Sequence, residues 1–273
     1  MKKFNVGLQL YSIREDMERD MDAALKSVRE IGYDYVEFAG YFGKSAGEVR
    51  ALCDKHGLTC ISVHQGFDAF SENRAEAIEY LKTIGARYCA IPYMAKDKHK
   101  GGGSFEKTTA EFIALGTAMK EAGIQLLYHN HDFEFSKFEG KYLLDWLYEA
   151  IPEDILKTEL DICWVRYAGE SPYNYIKKYS GRSPIVHLKD FTANKILSYR
   201  NTDYNESNPR PSYEETGFCY RPIGSGIQDI PSVLAAAEAA GADTVIVEQD
   251  RSADITPLEA AAASRAYLSY LGI

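Results

Sequence analysis

The sequence predicts an α/β fold closed into a (β/α)8 barrel, the TIM-barrel architecture, on three observations. Short β-rich runs alternate with helix-period stretches along the whole chain. Helix after helix stops at a glycine just before the next run. Strand ends such as Glu37, His64 and Tyr93 recur about every 30 residues, the length of one βα unit. The 273-residue length agrees, because such barrels run to about 250 residues as one domain, and residues 1–273 are expected to form a single domain. An open doubly wound sheet is the rival. It places a GxGxxG turn after its first strand, and Gln9-Leu10-Tyr11-Ser12-Ile13 has no such glycines.

Taken in order, a first strand is expected at 6–10 and a second at 35–38, after a helix over 20–31 that Gly32 ends. The next helix, 46–56, stops at Gly57 before a third strand at 59–63. Helix 74–84 and Gly85 lead to a fourth strand at 88–92, and helix 108–122 with Gly123 leads to a fifth at 124–129. Strands six and seven are expected at 156–161 and 184–189, and helix 230–240 with Gly241 precedes an eighth at 244–248. The gap from His187 to Glu248 is about twice one unit. Its excess lies in 190–222, a stretch rich in Tyr, Asn, Ser and Pro with no clear period. Because it follows the seventh strand, this insertion should cover the face where barrel active sites form. Its tyrosines and Phe218 give it something to bury, which favours a lid or substrate wall over disorder. The Gly101-Gly102-Gly103 run lacks the Lys and Ser/Thr of a P-loop and reads as a flexible loop.

Composition narrows the function. Hydrophobic residues at 45% and charged residues at 26% exclude a disordered chain. Forty acidic against 31 basic residues give a net charge of −9, which opposes binding to a phosphate backbone, so nucleic acid is not an expected partner. No apolar run approaches the roughly 18 residues of a membrane helix, so no membrane partner is expected. The chain opens with Lys2 and Lys3, but the apolar stretch behind them is too short for a signal peptide. Cys53, Cys60, Cys89, Cys163 and Cys219 lack CxxC spacing and read as small buried hydrophobes in a reducing cytoplasm. In that setting the Asn205-Glu206-Ser207 sequon counts for little. An enzyme or binding protein for a small molecule remains, with homo-oligomerisation left open.

The strand ends carry the chemistry. With a strand period of two, His129 and His131 share a face, as do Glu159 and Asp161, and His187 and Lys189. Strands five to eight thus bring His129, Asp161, His187 and Glu248 to one rim. A single strand-end histidine is usually structural, but four polar groups in register on adjacent strands suit a divalent ion. The mixed nitrogen and oxygen set is compatible with Mn²⁺, Co²⁺, Mg²⁺ or Zn²⁺. Gln9, Glu37, His64 and Tyr93 end the first four strands. Glu37 and His64 read as acid/base or hydroxyl-binding groups, or alternatively as salt bridges at the mouth. Lys189 would neutralise an oxyanion or phosphate, unless it pairs with Asp190 or Glu159. Trp164 offers a stacking face for a sugar, or packs under the sixth helix.

The segments GLQLYSIRED, YVEFAGYFG, SVHQG, LLYHNHDFEF, ELDICWVRYAG, HLKDF, PIGSGIQDIPSVL and VIVEQD together resemble the sugar phosphate isomerase/epimerase family. This belongs to the xylose-isomerase-like TIM barrel superfamily, with inosose dehydratases and endonuclease IV. The resemblance runs from the first strand to the last. It implies a divalent cofactor, Mn²⁺ or Co²⁺, held by His129, Asp161, His187 and Glu248. One departure bears on mechanism. Ketose 3-epimerases have a glutamate as the fifth-strand ligand, and two glutamates exchange a proton from opposite faces of the substrate. Here the position is His129 within Tyr-His-Asn-His, as in inosose-dehydratase-like members. The fifth-strand ligand is open among His129, His131 and Glu134, and His131 or Glu134 would supply the second acid/base beside Glu248. The acidic charge and missing ligands separate the chain from the endonuclease branch.

The leading expectation is a metal-dependent isomerase or epimerase acting on a keto-sugar or polyol through a metal-stabilised enediolate. Glu248 or His131 would take the proton. A dehydratase or 3-keto-glycoside lyase on the same scaffold is the alternative, and a non-catalytic sugar-binding barrel is the alternative of another class.

Overall fold

The structure, a computed structural model, describes residues 4–205 and 207–273. Eight parallel strands close on themselves: β1 (Asn5–Gln9), β2 (Tyr35–Phe38), β3 (Thr59–His64), β4 (Tyr88–Ile91), β5 (Gln125–His129), β6 (Leu156–Asp161), β7 (Ile185–Leu188) and β8 (Thr244–Val247). Each strand pairs with its neighbours in chain order, and β1 pairs with β8 to close the barrel. The expected TIM barrel is therefore present, with strand bounds within a residue or two of the expected ones. Helices Ala46–His56, Arg74–Ile84 and Ile230–Ala240 have the expected limits, and Gly57, Gly85 and Gly241 cap them in left-handed conformation. One boundary differs: the helix before β5 runs Phe105–Glu121, starting earlier than expected because burial of Phe105 draws the preceding turn into it. The opening lysines and Glu206 of the sequon lie outside the described residues.

The barrel interior is layered, and the layering positions the site. Leu127, Ile185 and Ile246 lie two residues before His129, His187 and Glu248, so they share a face with them. With Ile61, Tyr88 and Ala90 they form a buried apolar cluster separate from the main core. Gly7 leaves room for this layer, since a Cβ there would stand 2.5 Å from Ile246 Cδ1. Above the apolar layer the interior turns polar. The switch falls at the carboxyl ends of the strands, where barrel active sites are built.

The 190–222 insertion is ordered by long-range contacts. Asp190–Thr192 and Cys219–Arg221 pair antiparallel, and Tyr213–Thr216 forms a short helix whose Ser212 and Glu215 make a reciprocal cap. Phe218 stacks on Trp164 at 5.7 Å and on Phe191 at 4.9 Å. Arg210 pairs with Asp132, Nη2 to Oδ1 at 3.1 Å, and fixes the segment to the turn after β5. No described helix is long and apolar enough to cross a membrane.

Candidate metal centre and mouth

Pairing register assembles the ring. His129 lies beside Glu159 across β5 and β6, Asp161 beside His187 across β6 and β7, and the amide of Glu248 donates to the Leu188 carbonyl at 3.0 Å. One donor atom each from His129, Asp161, His187 and Glu248 falls within 4.8 Å of the others. A second set, His64, His129, Glu159 and His187, meets the same limit and shares both histidines. Metal–ligand bonds of about 2.0–2.2 Å hold donors up to about 4.2 Å apart, so small side-chain rotations would close either set on an ion.

Several of these atoms are buried without a hydrogen-bond partner: His129 Nδ1, Asp161 Oδ2, Glu159 Oε1 and Glu37 Oε2. Unmatched buried acceptors of this kind are costly unless a cation meets them; Lys189 faces Asp161 Oδ2 at 3.1 Å, and the mixed imidazole–carboxylate set as a whole suits a divalent ion. Asp161 shows how the chain orients such a donor. Its Oδ1 caps the helix Ile162–Tyr167 by accepting from the amides of Cys163 (2.7 Å) and Trp164 (3.2 Å), which leaves Oδ2 for the site. Asn130 accepts from the Asp161 amide at 3.0 Å and locks β5 to β6 at this level.

His187 lies between carboxylates, with Nε2 2.8 Å from Glu37 Oε1 and Nδ1 3.0 Å from Glu248 Oε2. Whichever nitrogen meets an ion, the other keeps a carboxylate that fixes the ring. Glu37 is itself held by Gln9 Nε2 at 2.6 Å and lies 3.1 Å from His64 Nε2, which in turn lies 2.6 Å from Glu159. Burial works against charge on His64, but Glu37 and Glu159 outweigh it and push its pKa up to about 10. The same carboxylates, Glu159 before Glu37, raise His187 against its burial. Burial, then the neighbouring charge of His187 and His64, holds His129 well below the usual imidazole range, so it is a neutral donor. Asp161 is pushed up to about 6 by burial, with Lys189 opposing.

Lys189 is 1% exposed, and its Nζ lies 3.1 Å from Asp161 Oδ2, 2.9 Å from Glu248 Oε2 and 3.2 Å from Asp250 Oδ1. The Asp161 contact has the distance of an ion pair without hydrogen-bond alignment. Neither partner considered from sequence is correct: Asp190 turns away, its carboxylate accepting the amides of Phe191, Gly224, Gly226 and Gln228, and Glu159 sits with His64.

A cavity of about 570 Å³ opens onto this ring, and His64, His129, His131, Lys189 and Glu248 line it. Tyr93 stands at its rim, 59% exposed. Tyr213 and Tyr220 of the insertion form another wall, as expected of a segment covering this face. His131 stacks on Phe133 at 5.6 Å, and its Nδ1 has no partner. Burial, then Lys189, lowers its pKa to about 3.

Four expected groups fall elsewhere. Gln9 and Glu37 lie beneath the ring and do not line the cavity. Trp164 is 2% exposed and stacks on Phe218, with Lys189 Nζ 5.1 Å from its ring, so it supports the site from behind. Glu134 is not brought to the ring. A 3-10 turn, Phe133–Phe135, swings it onto the core, where it accepts from Tyr128 Oη at 2.6 Å and from the His131 amide at 2.8 Å. Two groups were missed. Glu159 belongs to the second donor set and Asp250 lines the mouth beside Lys189. The period-two rule had already put Glu159 on the face of Asp161 without its being chosen as a ligand, and the same rule applied from Glu248 reaches Asp250.

A barrel whose carboxyl-end ring combines buried histidines and carboxylates defines the class: an α/β barrel with a candidate divalent-metal centre at its mouth. The chain belongs to the xylose isomerase-like TIM barrel family, whose model matches residues 25–271. It is 25% identical over 191 residues to an inosose dehydratase of Geobacillus kaustophilus, covering 62% of this chain and 61% of that one. An inosose dehydratase of Clostridium perfringens is 33% identical over 144 residues, covering 47% of this chain and 46% of the relative. The chain thus spans about half to three fifths of the curated relatives it matches. Among solved structures, a sugar phosphate isomerase/epimerase from Parabacteroides distasonis superposes with a TM-score of 0.77 at 22% identity, covering 98% of this chain and 94% of that one. The IOLI protein, solved with a zinc atom, superposes at 0.68 and 16% identity, covering 98% and 97%. At those identities the likeness is one of fold.

Proposed function

We propose that this chain is a divalent-metal-dependent enzyme that removes a proton from the carbon beside a carbonyl of a keto-sugar or polyol, as an isomerase or epimerase. The observation that carries the reading is the placing of His131, a neutral imidazole with an unpartnered Nδ1, in the same cavity as His129, Glu248 and Lys189. His129, Asp161, His187 and Glu248 are the proposed ligands. When bound, a divalent ion would polarise the carbonyl oxygen and offset the charge of an enediolate. Mn²⁺ and Co²⁺ are the ions that the family resemblance favours.

A turn of the His131 ring brings its buried Nδ1 to the cavity, where it takes the substrate proton without first breaking a hydrogen bond. Its low pKa makes it a weak base in the empty cavity, and negative charge developing on the substrate beside it raises that pKa toward the working range. Lys189 supplies a fixed positive charge next to the same oxygen atoms. Glu248 keeps its oxygens for His187, Lys189 and the ion. His64 and Tyr93 line the cavity where sugar hydroxyls would be held.

A second reading, a dehydratase or 3-keto-glycoside lyase, is favoured by one observation. Glu134 is turned into the core, which takes away one of the groups expected to act opposite Glu248 in a two-face epimerisation. The inosose dehydratase relatives point the same way.

The deciding experiment loads the protein with Mn²⁺ or Co²⁺ and screens keto-sugars, inososes and 3-keto-glycosides by NMR in D₂O. Deuterium entering beside the carbonyl with the carbon skeleton intact supports isomerisation or epimerisation, whereas release of water or an aglycone supports elimination. A folded protein that recruits no divalent ion, and exchanges no deuterium with any of these, refutes both. Glu248→Gln should abolish turnover while leaving the thermal midpoint nearly unchanged, since the amide keeps the side chain's shape.

A further inference from the structure

Beyond Tyr93 lies a second cavity of about 870 Å³ that the proposed chemistry leaves unused. Tyr93 lines both spaces, and Phe133, which stacks on His131, also lines the second. Met94, Phe138 and Leu143 add to walls made largely of aromatic and aliphatic carbon. The glycine run, expected to be a flexible loop, is a fitted part of this wall. A Cβ at Gly101 would stand 2.4 Å from Phe138 Cδ2, and one at Gly102 would stand 2.3 Å from the Asp97 carbonyl oxygen.

Polar side chains also line the cavity, and His99 stands out among them. His99 lines the cavity yet is 2% exposed. Its Nε2 lies 3.3 Å from the Met94 carbonyl oxygen, which places the ring hydrogen there and leaves Nδ1 as an acceptor with no partner. Burial lowers its pKa to about 4, so the ring is neutral at pH 7. Lys96, Lys100 and Lys137 also line the space, against Asp97 alone, in a chain of net charge −9. Lys100 pairs with Glu106 and Lys137 donates to the Arg200 carbonyl.

We propose that this cavity is a second substrate subsite that takes a phenolic aromatic ring attached to the sugar in the mouth. A free sugar presents little that apolar ring walls can bind, whereas a planar aryl group stacks on them. The phenolic O–H donates to His99 Nδ1, and the lysines favour the electron-rich oxygen. The substrate class becomes an aryl-substituted sugar, which rests on the reading of the mouth as a metal-assisted sugar site.

The test uses the full chain with Mn²⁺ and three probes: 4-hydroxyphenyl β-D-glucoside, methyl β-D-glucoside and hydroquinone. Calorimetry follows binding, and ¹⁵N NMR follows the His99 imidazole. The aryl glucoside should bind about tenfold more tightly than the methyl glucoside, and hydroquinone alone should shift His99. Both His99→Phe and Phe138→Ala should lose most of that advantage with methyl glucoside binding unchanged, and two variants keep the test open if one fails to fold. Equal binding of the glucosides, with no His99 shift, overturns the subsite whatever happens at the metal. A His99 shift with hydroquinone but binding of neither glucoside overturns the linked substrate class, while the keto-sugar reading of the mouth stands or falls on its own deuterium-exchange screen.

Discussion

Glu37 touches no cavity, yet it holds the imidazole on which the ring depends. Its Oε1 meets His187 Nε2 at 2.8 Å, and Gln9 keeps it in place. A carboxylate behind a ligating histidine raises the basicity of the ring and fixes its angle, and its loss costs about 10–100-fold in metal affinity. Glu37→Gln should therefore weaken Mn²⁺ binding by about that factor, measured by calorimetry against a competing chelator, with an unchanged far-ultraviolet spectrum. Unaltered affinity would show that His187 does not meet the ion through Nδ1 with Glu37 behind it. At this scale the sequence was legible wherever a strand was regular. Period two placed His129, Asp161, His187 and Lys189 correctly because β5, β6 and β7 stay straight to their ends. Glu134 was a candidate from the family resemblance alone: it is an odd number of residues from His129, and a 3-10 turn after the strand carries it onto the core. Its hydroxyl partner, Tyr128, sits on the opposite face of β5 from His129, a contact no local pattern encodes.

Elements bounded by local signals were the ones the sequence placed best. Helix 46–56 carries its own cap, with Ser45 accepting from the Glu48 amide and Glu48 reaching back, and Gly57 ends it. Within the insertion after β7 only the short helix Tyr213–Thr216 has such signals, Ser212 and Glu215 before Gly217, and the rest of its shape comes from distant partners. Asp190 accepts four amides, from Phe191, Gly224, Gly226 and Gln228, at 2.9–3.1 Å. One carboxylate thus joins the first residue of the insertion to the turn beyond its end. Gly226 is required beneath it, because a Cβ there would fall 2.1 Å from Asp190 Oδ1. Asp190→Ala strands these donors, and the expected destabilisation is about 2–4 kcal/mol, with water recovering part of the loss. Urea unfolding measures it, and limited proteolysis should show earlier cutting within 190–228. A variant as stable and as resistant as the parent would mean that the aromatic stack around Phe218 holds the insertion by itself.

For the whole molecule, two buried groups bend stability with pH in opposite directions. Burial lowers His99 to about 4, against an ordinary value of 6.5. Between those pH values the unfolded chain binds a proton that the fold refuses, so stability falls as pH falls from 6.5 toward 4. The shift corresponds to about 3 kcal/mol at 1.36 kcal/mol per unit. Burial raises Glu134 to about 8 from 4.5, with its bonds from Tyr128 and His131 opposing. Here the fold keeps a proton that the unfolded chain releases, so stability falls as pH rises from 4.5 toward 8. The windows overlap between 4.5 and 6.5, where the two slopes oppose each other. Removing one group exposes the other. In His99→Phe the His99 share of the acid-side loss disappears, so on going from pH 7 to pH 4 the variant should lose about 3 kcal/mol less than the parent, whatever its starting stability. Urea unfolding of both proteins at half-unit pH steps measures the difference. Parallel curves would mean that His99 binds its proton equally well folded and unfolded, which its burial against Met94 and Phe133 does not allow.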